Sequence, residues 1–483
     1  MNKSNYSRRD FIKSIGIAGG LSLLGSTSEA QTKRKFLFRK RCADAGAIIR
    51  KSFKNLSAAE LTAFKNGVAV MKSRAATDPT SWTYQAAIHG SSATPAQIAW
   101  STCEHNPTHF LSWHRMYICF FERILRKASG LPSLGLPYWN YSDATDANAR
   151  FLPAAFRDTT STLFTSNRNA AINAGTGQLS ASAVSLASVI PGPTGFYPFS
   201  SNVNVTPHGA VHLGVGGGMS GFNTAGLDPI FWLHHCNIDR LWNRWLAGGG
   251  GRSNPAATDT VWNTTNFTFF DENGTQVQMK GADIISAANS SCRSCYDEES
   301  VFVIWDVLPW RWRYLDMLIG IYRKPLVLDI KRLRFEIELN EKARDSFARA
   351  LKATKAEDEV NIKLNFEGVK ADKPVEFFYE VYLNLPENIT EPDYKMESYA
   401  GNLTLFGADQ THSMDHNEKD PLKFSVNLTD AVKRAKKLGA EKTLSITLVP
   451  TGLVSKDEKR LPIRSDAKVS VEQITLSVEE REK

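Results

Sequence analysis

Ten histidines are distributed over 483 residues, and eight of them fall between His89 and His235. This unevenness limits the chain more than any other feature, because the eight form two clusters. In the second cluster His208 and His212 are four apart, directly after Pro207. On a helix that spacing puts both imidazoles on one face, where they can share a metal. Gly214 and the run Gly216 to Gly218 then stop the helix, and His235 follows inside Asp228-Pro-Ile-Phe-Trp-Leu-His-His-Cys-Asn-Ile-Asp-Arg-Leu-Trp-Asn-Arg-Trp245. This run predicts a helix from Pro229 to Leu246, with Asp228 as its cap. His234 and His235 stand about 100° apart on the helical wheel, so both do not readily face one ion. Asp239, four residues after His235, is placed to orient that imidazole from behind.

The first cluster is His89, His105, His109 and His114. Pro107 places His105 on a lead-in loop rather than in a helix. His114 lies inside a predicted helix from Leu111 to Leu125. Spacing alone leaves open whether His105 or His109 is the ligand. A single buried histidine is ordinarily a satisfied core residue, but two clusters in one histidine-poor chain point to metal. Ligation by imidazole alone suits copper, zinc, iron or nickel. No Asp or Glu has ligand-like spacing here, which argues against a carboxylate-rich di-iron or di-manganese site.

The charge balance removes another class of function. The chain carries a formal charge of +8, but residues 1–41 hold all of that excess, and the remainder has 48 basic and 48 acidic residues. A body without net positive charge does not suit nucleic-acid binding. Ser7-Arg8-Arg9-Asp10-Phe11-Ile12-Lys13, the apolar run Ile15 to Leu24 and Ser28-Glu29-Ala30 look like a twin-arginine export signal covering residues 1–30. The expectation is export to the periplasm or beyond, through the twin-arginine machinery and without a permanent membrane anchor. Six cysteines are too few to make so long a chain a disulfide scaffold, and Cys292-x-x-Cys295 without a second such pair is a weak metal or redox signal.

Composition divides the remainder. Residues 31–297 read as a mainly helical metal domain, a four-helix-bundle core with long loops. Residues 298–325 read as a linker containing the aromatic stretch Val301 to Tyr322. Residues 326–483 alternate in the manner of strands, as in Leu333 to Leu339 and Val375 to Tyr382, and predict an all-β sandwich or barrel-like domain.

The motifs then carry a resemblance. His105-Asn-Pro-Thr-His-Phe-Leu-Ser-Trp-His114-Arg-Met-Tyr, with His89 before it, resembles the first copper motif of the tyrosinase, catechol oxidase and haemocyanin family. His208-Gly-Ala-Val-His212, with Asp228 to His235 and Asp239-Arg-Leu-Trp, resembles the second. The likeness covers about residues 36–297. Tyr399-Ala-Gly-Asn-Leu-Thr and Leu438 to Pro450 are similar to the C-terminal domain of plant polyphenol oxidases. The resemblance implies two copper ions, the first on His89, His105 and His114 and the second on His208, His212 and His235. It implies a thioether from Cys103 to His105, and a Phe222 gate over the second copper. It also implies oxidation of catechols to o-quinones with reduction of O2 to water. Relatives that hydroxylate monophenols well often have Asn after the first histidine of the second motif and a water-holding Glu nearby. Here those positions are Gly209 and Asn204, so strong diphenolase and weak monophenolase activity is expected, acting on small phenolic substrates. The β domain is expected to cover the site, and His412 and His416 to be solvated. A full tyrosinase and a haemocyanin-like O2 carrier are the rival readings; a di-zinc hydrolase would want a bridging carboxylate.

Overall fold

A computed structural model describes residues 47–190, 192–285, 292, 294–298, 314–352, 360–410, 422–435, 442–463 and 465–481. The predicted export signal, residues 301–313, His412 and His416 lie outside them.

The first half is built on six helices: α1 (Ala58–Ser73), α2 (Trp82–His89), α3 (Phe110–Ser129), α4 (Phe196–Val203), α5 (Ala210–Val215) and α6 (Pro229–Ala247). Two of the long helices, α1 and α6, start where their sequence supplies a side-chain cap. Ser57 and Glu60 form a reciprocal capping box on α1. The Asp228 carboxylate accepts from the Ile230 amide at 3.0 Å with Pro229 at the first position of α6. α3 ends at Gly130 in the left-handed region, φ 71°. The predicted helices at 111–125 and 229–246 are therefore present, each slightly longer. In this half only α1, α3 and α6 exceed eight residues among the described residues. The core is helical, with three long helices, short ones and long loops. α1 lies so close to α3 that a Cβ on Gly67 would stand 2.8 Å from Leu125 Cδ1.

Two short parallel strands, β1 (Ile48–Arg50) and β5 (Ser294–Tyr296), close the ends of this half onto each other. Between them lie β2 (Gln178–Leu179) and the hairpin of β3 (Phe267–Phe270) and β4 (Gln276–Met279). A disulfide joins Cys119 of α3 to Cys292, and Cys295 is also disulfide-bonded. Cys292-x-x-Cys295 is thus a pair of structural cysteines and not a free dithiol.

The second half is one antiparallel sheet of eight strands: β6 (Tyr314–Tyr322), β8 (Leu333–Leu339), β9 (Val360–Glu367), β11 (Phe378–Leu383), β12 (Tyr399–Leu403), β13 (Lys423–Asn427), β14 (Thr443–Thr451) and β17 (Gln473–Arg481). Their order is β12-β11-β14-β8-β6-β17-β9-β13. The two edge strands lie against each other, so the sheet curls into a barrel-like form. β8 shows why: Phe335 and Ile337 point into the core while Arg334, Glu336 and Glu338 point out. A small sheet of β7 (Leu326–Leu328), β10 (Lys370–Ala371) and β16 (Val469–Val471) flanks it. Residues 314–322, assigned by the sequence to a linker, are instead the central strand β6. Its run Met317-Leu-Ile-Gly-Ile321 is almost continuously apolar, with Leu318 exposed and Ile319 buried, and so lacks the polar alternation that marks the others.

The halves are joined by backbone as well as side chains, since β15 (Leu453–Val454) pairs antiparallel with β2. No described helix is long and apolar enough to cross a membrane.

α6 depends on a buried ion pair. Arg168 grips Asp228 with two hydrogen bonds of 2.7 Å, the side chains being 0% and 2% exposed. Arg168→Leu would leave the capping carboxylate buried and unpaired. We expect a loss of about 3–5 kcal/mol in urea unfolding at neutral pH; a loss below about 1 kcal/mol would contradict this account.

Candidate metal centre

The first cluster is assembled from a helix end, a loop and a helix start. His89 is the last residue of α2. The chain then doubles back, with the Ser101 and Thr102 amides donating to the Ala87 and Ile88 carbonyls at 3.0 and 3.1 Å. That return brings Cys103 and His105 beside His89, and His114 arrives one turn into α3. Ligand atoms of His89, Cys103, His105 and His114 lie within 4.8 Å of one another. His109 caps α3 and packs its ring on Phe267 at 5.2 Å. Of the two candidates left open by spacing, His105 is the one in the group.

The second cluster starts from an irregular turn. Asn204–Gly209 forms a wide helical turn that Thr206 interrupts with φ −137° and ψ 123°, and α5 continues from it. Nitrogens of His208, His212, His234 and His235 lie within 4.8 Å of one another. The helical-wheel argument against His234 is therefore corrected: both neighbours on α6 bring a nitrogen into the group. They differ in their partners. His234 Nδ1 meets the Tyr141 hydroxyl at 3.2 Å, whereas His235 Nε2 faces His212 Nε2 at 3.2 Å. The clusters adjoin, since the His114 and His235 rings stack at 4.4 Å and those of His105 and His208 are 5.4 Å apart.

Four rings share one orienting device. Nδ1 of His89, His114, His208 and His212 faces the carbonyl of Phe222, Phe110, Asn204 and Met219 at 3.1, 2.7, 3.1 and 2.8 Å. A carbonyl only accepts, so each Nδ1 carries the hydrogen and each Nε2 keeps a lone pair. Nε2 of His89 and of His208 is buried without a hydrogen-bond partner. Burial drives every one of these imidazoles toward the neutral form, His89 and His234 to about 3. His105, His114, His208, His212 and His235 are lowered well below the usual histidine value by burial and by one another. Neutral rings with lone pairs converging in a dry space are a donor set for a metal.

Two other sequence expectations need correction. Asp239 does not orient His235, whose Nδ1 has no hydrogen-bond partner. Its carboxylate instead binds Arg115, Arg50 at 3.0 Å and the Tyr296 hydroxyl at 2.5 Å, in a buried network that also takes in Glu122. The guanidinium groups out-compete a neutral ring for an ionised acceptor. Phe222 lies over the first cluster and not the second, with its ring 4.7 Å from His89 and 5.5 Å from His105. Cys103 Sγ stands 3.6 and 4.0 Å from the two nitrogens that flank His105 Cε1, and burial raises its thiol.

The ring over the second cluster is one that no sequence signal marked. Phe406, from the β half, stacks on His212 at 4.1 Å and 20°, and stands 5.8 Å from both His105 and His208. It belongs to a regular contact. Asn402, Thr404 and Phe406, alternate residues on β12 and its continuation, meet Thr206, Gly209 and His212 in turn. Asn402 Nδ2 donates to the Thr206 hydroxyl at 3.2 Å, and a Cβ on Gly209 would stand 2.6 Å from Thr404 Oγ1.

The imidazoles set a pH limit on the metal-free protein. Their folded pKa lies below the unfolded 6.5, so the unfolded chain takes up more protons as pH falls through that value. The stabilisation is complete above pH 6.5 and drains away toward about 3. Each ring contributes about 1.4 kcal/mol per pH unit. Urea unfolding of metal-free protein should therefore show a loss of at least about 3 kcal/mol between pH 6.5 and about pH 5, before carboxylates titrate. A flat profile over that interval would mean the rings are not buried as described.

Comparison with known proteins gives a consistent picture. The model for the common central domain of tyrosinase matches residues 79–197 and 193–248, a span that contains both clusters. The polyphenol oxidase middle domain matches residues 256–305, and a domain of unknown function matches residues 316–479. A tyrosinase of Hahella sp. (strain CCB-MM4) is 27% identical over 474 residues, covering 87% of this chain and 97% of the relative. A chloroplastic polyphenol oxidase of Malus domestica is 27% identical over 442 residues, covering 79% and 71%. Among solved structures, latent apple tyrosinase superposes with a TM-score of 0.59 at 22% identity, covering 89% of this chain and 97% of that one. That last likeness shows the fold: a helical core with a C-terminal barrel-like sheet.

Proposed function

The chain belongs to the tyrosinase and polyphenol oxidase family, and from that premise we propose that it is a type 3 copper enzyme oxidising o-diphenols to o-quinones as O2 is reduced to water. The observation that carries the reading is the set of neutral imidazoles with converging nitrogens, Nε2 of His89 and of His208 being buried without a partner. His89, His105 and His114 would hold one copper, and His208, His212 and His235 the other. His234, engaged with Tyr141, stands beside the second set. When bound, the copper pair supplies the two-electron exchange between phenol and dioxygen.

The chain's own groups bear on which phenols react. A monophenol must lose its proton at the site before an oxygen can be added. Asn204 stands where a carboxylate would serve as acceptor, and its amide already donates to the His105 carbonyl at 2.8 Å. An amide nitrogen takes up no proton at neutral pH. Gly209 adds no side chain, and the metal-ligand groups contain no carboxylate. These features support strong diphenolase and weak monophenolase activity. The tyrosinase name of the Hahella relative favours the other reading, full monophenolase activity. Initial rates of copper-loaded protein on tyramine and 4-methylcatechol decide between them. We expect at least a tenfold preference for the catechol, about 1.4 kcal/mol in barrier; rates within a few-fold of each other would favour the tyrosinase reading.

The β half acts as a cover in this proposal, with Phe406 filling the place of a substrate ring against His212. Removing that ring while keeping the fold should raise the fraction of molecules open to substrate. Phe406→Ala is expected to increase turnover of 4-methylcatechol about tenfold or more without added activator. Unchanged turnover would show that the cover does not limit access. A Cys103–His105 thioether and twin-arginine export complete the proposal; intact-mass measurement of the mature protein after full reduction of its disulfides reads both, as a remaining loss of two hydrogens and as the loss of residues 1–30.

A further inference from the structure

His105 is held differently from its neighbours. His89, His114, His208 and His212 each have Nδ1 fixed on a backbone carbonyl, but the contact at His105 Nδ1 is the Cys103 sulfur at 3.6 Å. It sits neither at a helix end nor inside a helix, but in the loop between α2 and α3. Its ring contact, with or without a thioether, is to Cys103 two residues away on the same loop, so the ring is only as well placed as that loop's backbone. That backbone is gripped by Asn204, whose Nδ2 donates to the His105 carbonyl at 2.8 Å. The acceptor is a carbonyl, so the amide must present its NH2 end, which fixes its orientation. The backbone carbonyl of the same Asn204 accepts from His208 Nδ1 at 3.1 Å. One residue thus holds one histidine of each cluster, its side chain on the backbone carbonyl of His105 and its main-chain carbonyl on the ring of His208. These two rings, 5.4 Å apart, face each other across the boundary between the clusters.

We propose that Asn204 is a positioning residue that sets the first metal site against the second, by tying the His105 loop to the turn that carries His208. This rests on the dicopper reading above. The two tethers differ in a way that can be tested. A substitution at position 204 removes the side-chain tether to His105 and leaves the main-chain tether to His208. It therefore weakens the first site and spares the second, by the tenfold or more usual for groups that orient a ligand.

The test uses the full chain and copper alone as probe. Wild type, Asn204→Ala, Asn204→Asp and Asn204→Gln are loaded and dialysed against a weak chelator. Copper per chain is then measured together with the electron paramagnetic resonance of the Cu(II) form. Two Cu(II) ions at coupling distance give no signal, whereas a lone ion gives a mononuclear one. Asn204→Asp keeps the shape and removes the donor, and Asn204→Gln keeps the donor, so the pair separates tether from packing. The expected result is two coppers and no signal for wild type. The Ala and Asp variants should keep about one copper with a full mononuclear signal, lost on adding His208→Ala, and Gln should restore part of the second copper. The metal-free Ala and Asp proteins should melt close to wild type. Two coppers and a silent spectrum in both variants would overturn the proposal. Fewer than two coppers in wild type would instead overturn the dicopper reading beneath it.

Discussion

The burial of uncharged imidazoles is the constraint on which the other features depend. Seven rings are packed where a proton on any of them would be costly, and each is pushed far toward its neutral form. Neutrality alone does not make a ligand set. Four backbone carbonyls, from three parts of the chain, select the tautomer that aims Nε2 inward. The helices, their caps and the Arg168–Asp228 pair hold those carbonyls in place. The fold spends its rigidity on the backbone acceptors around the rings more than on the rings themselves.

The network around Asp239 has a related task one layer out. Arg115 follows His114 on α3, and Asp239 lies one turn beyond His235 on α6. Their ion pair, joined by Arg50 and Tyr296 from the two terminal strands, clamps the helices that bring the clusters together. Breaking a buried charge pair of this kind is far costlier than making it is favourable, so it resists exchange for other residues.

Much of this was legible in the sequence because it is local. Helix caps, the His208/His212 spacing and the break at Pro107 are all decided within a few residues, and the structure follows them at α3, α5 and α6. What was missed is long-range or depends on competition. Asp239 lies on the face of His235, but arginines distant in sequence claim it. His234 joins the second group because the irregular turn at Thr206 brings His208 across to it, which an ideal wheel does not anticipate. Phe222 faces the first cluster because its own carbonyl is bound to His89. Strand β6 reads as a linker because its outward-facing Leu318 is apolar, which hides the alternation. Phe406 had no signal at all, since nothing near residue 406 indicates that a sheet edge will be folded against α5.

The alternate residues of β12 and every third residue from Thr206 to His212 form a matched ladder, in which Thr404 leaves room at position 209 for glycine alone. Any side chain added at 209 must also disturb the fit of a strand almost two hundred positions away. The two halves are therefore not freely exchangeable modules. A chimaera that grafts another barrel onto this helical core inherits a mismatch at this seam unless residues 209 and 404 travel together.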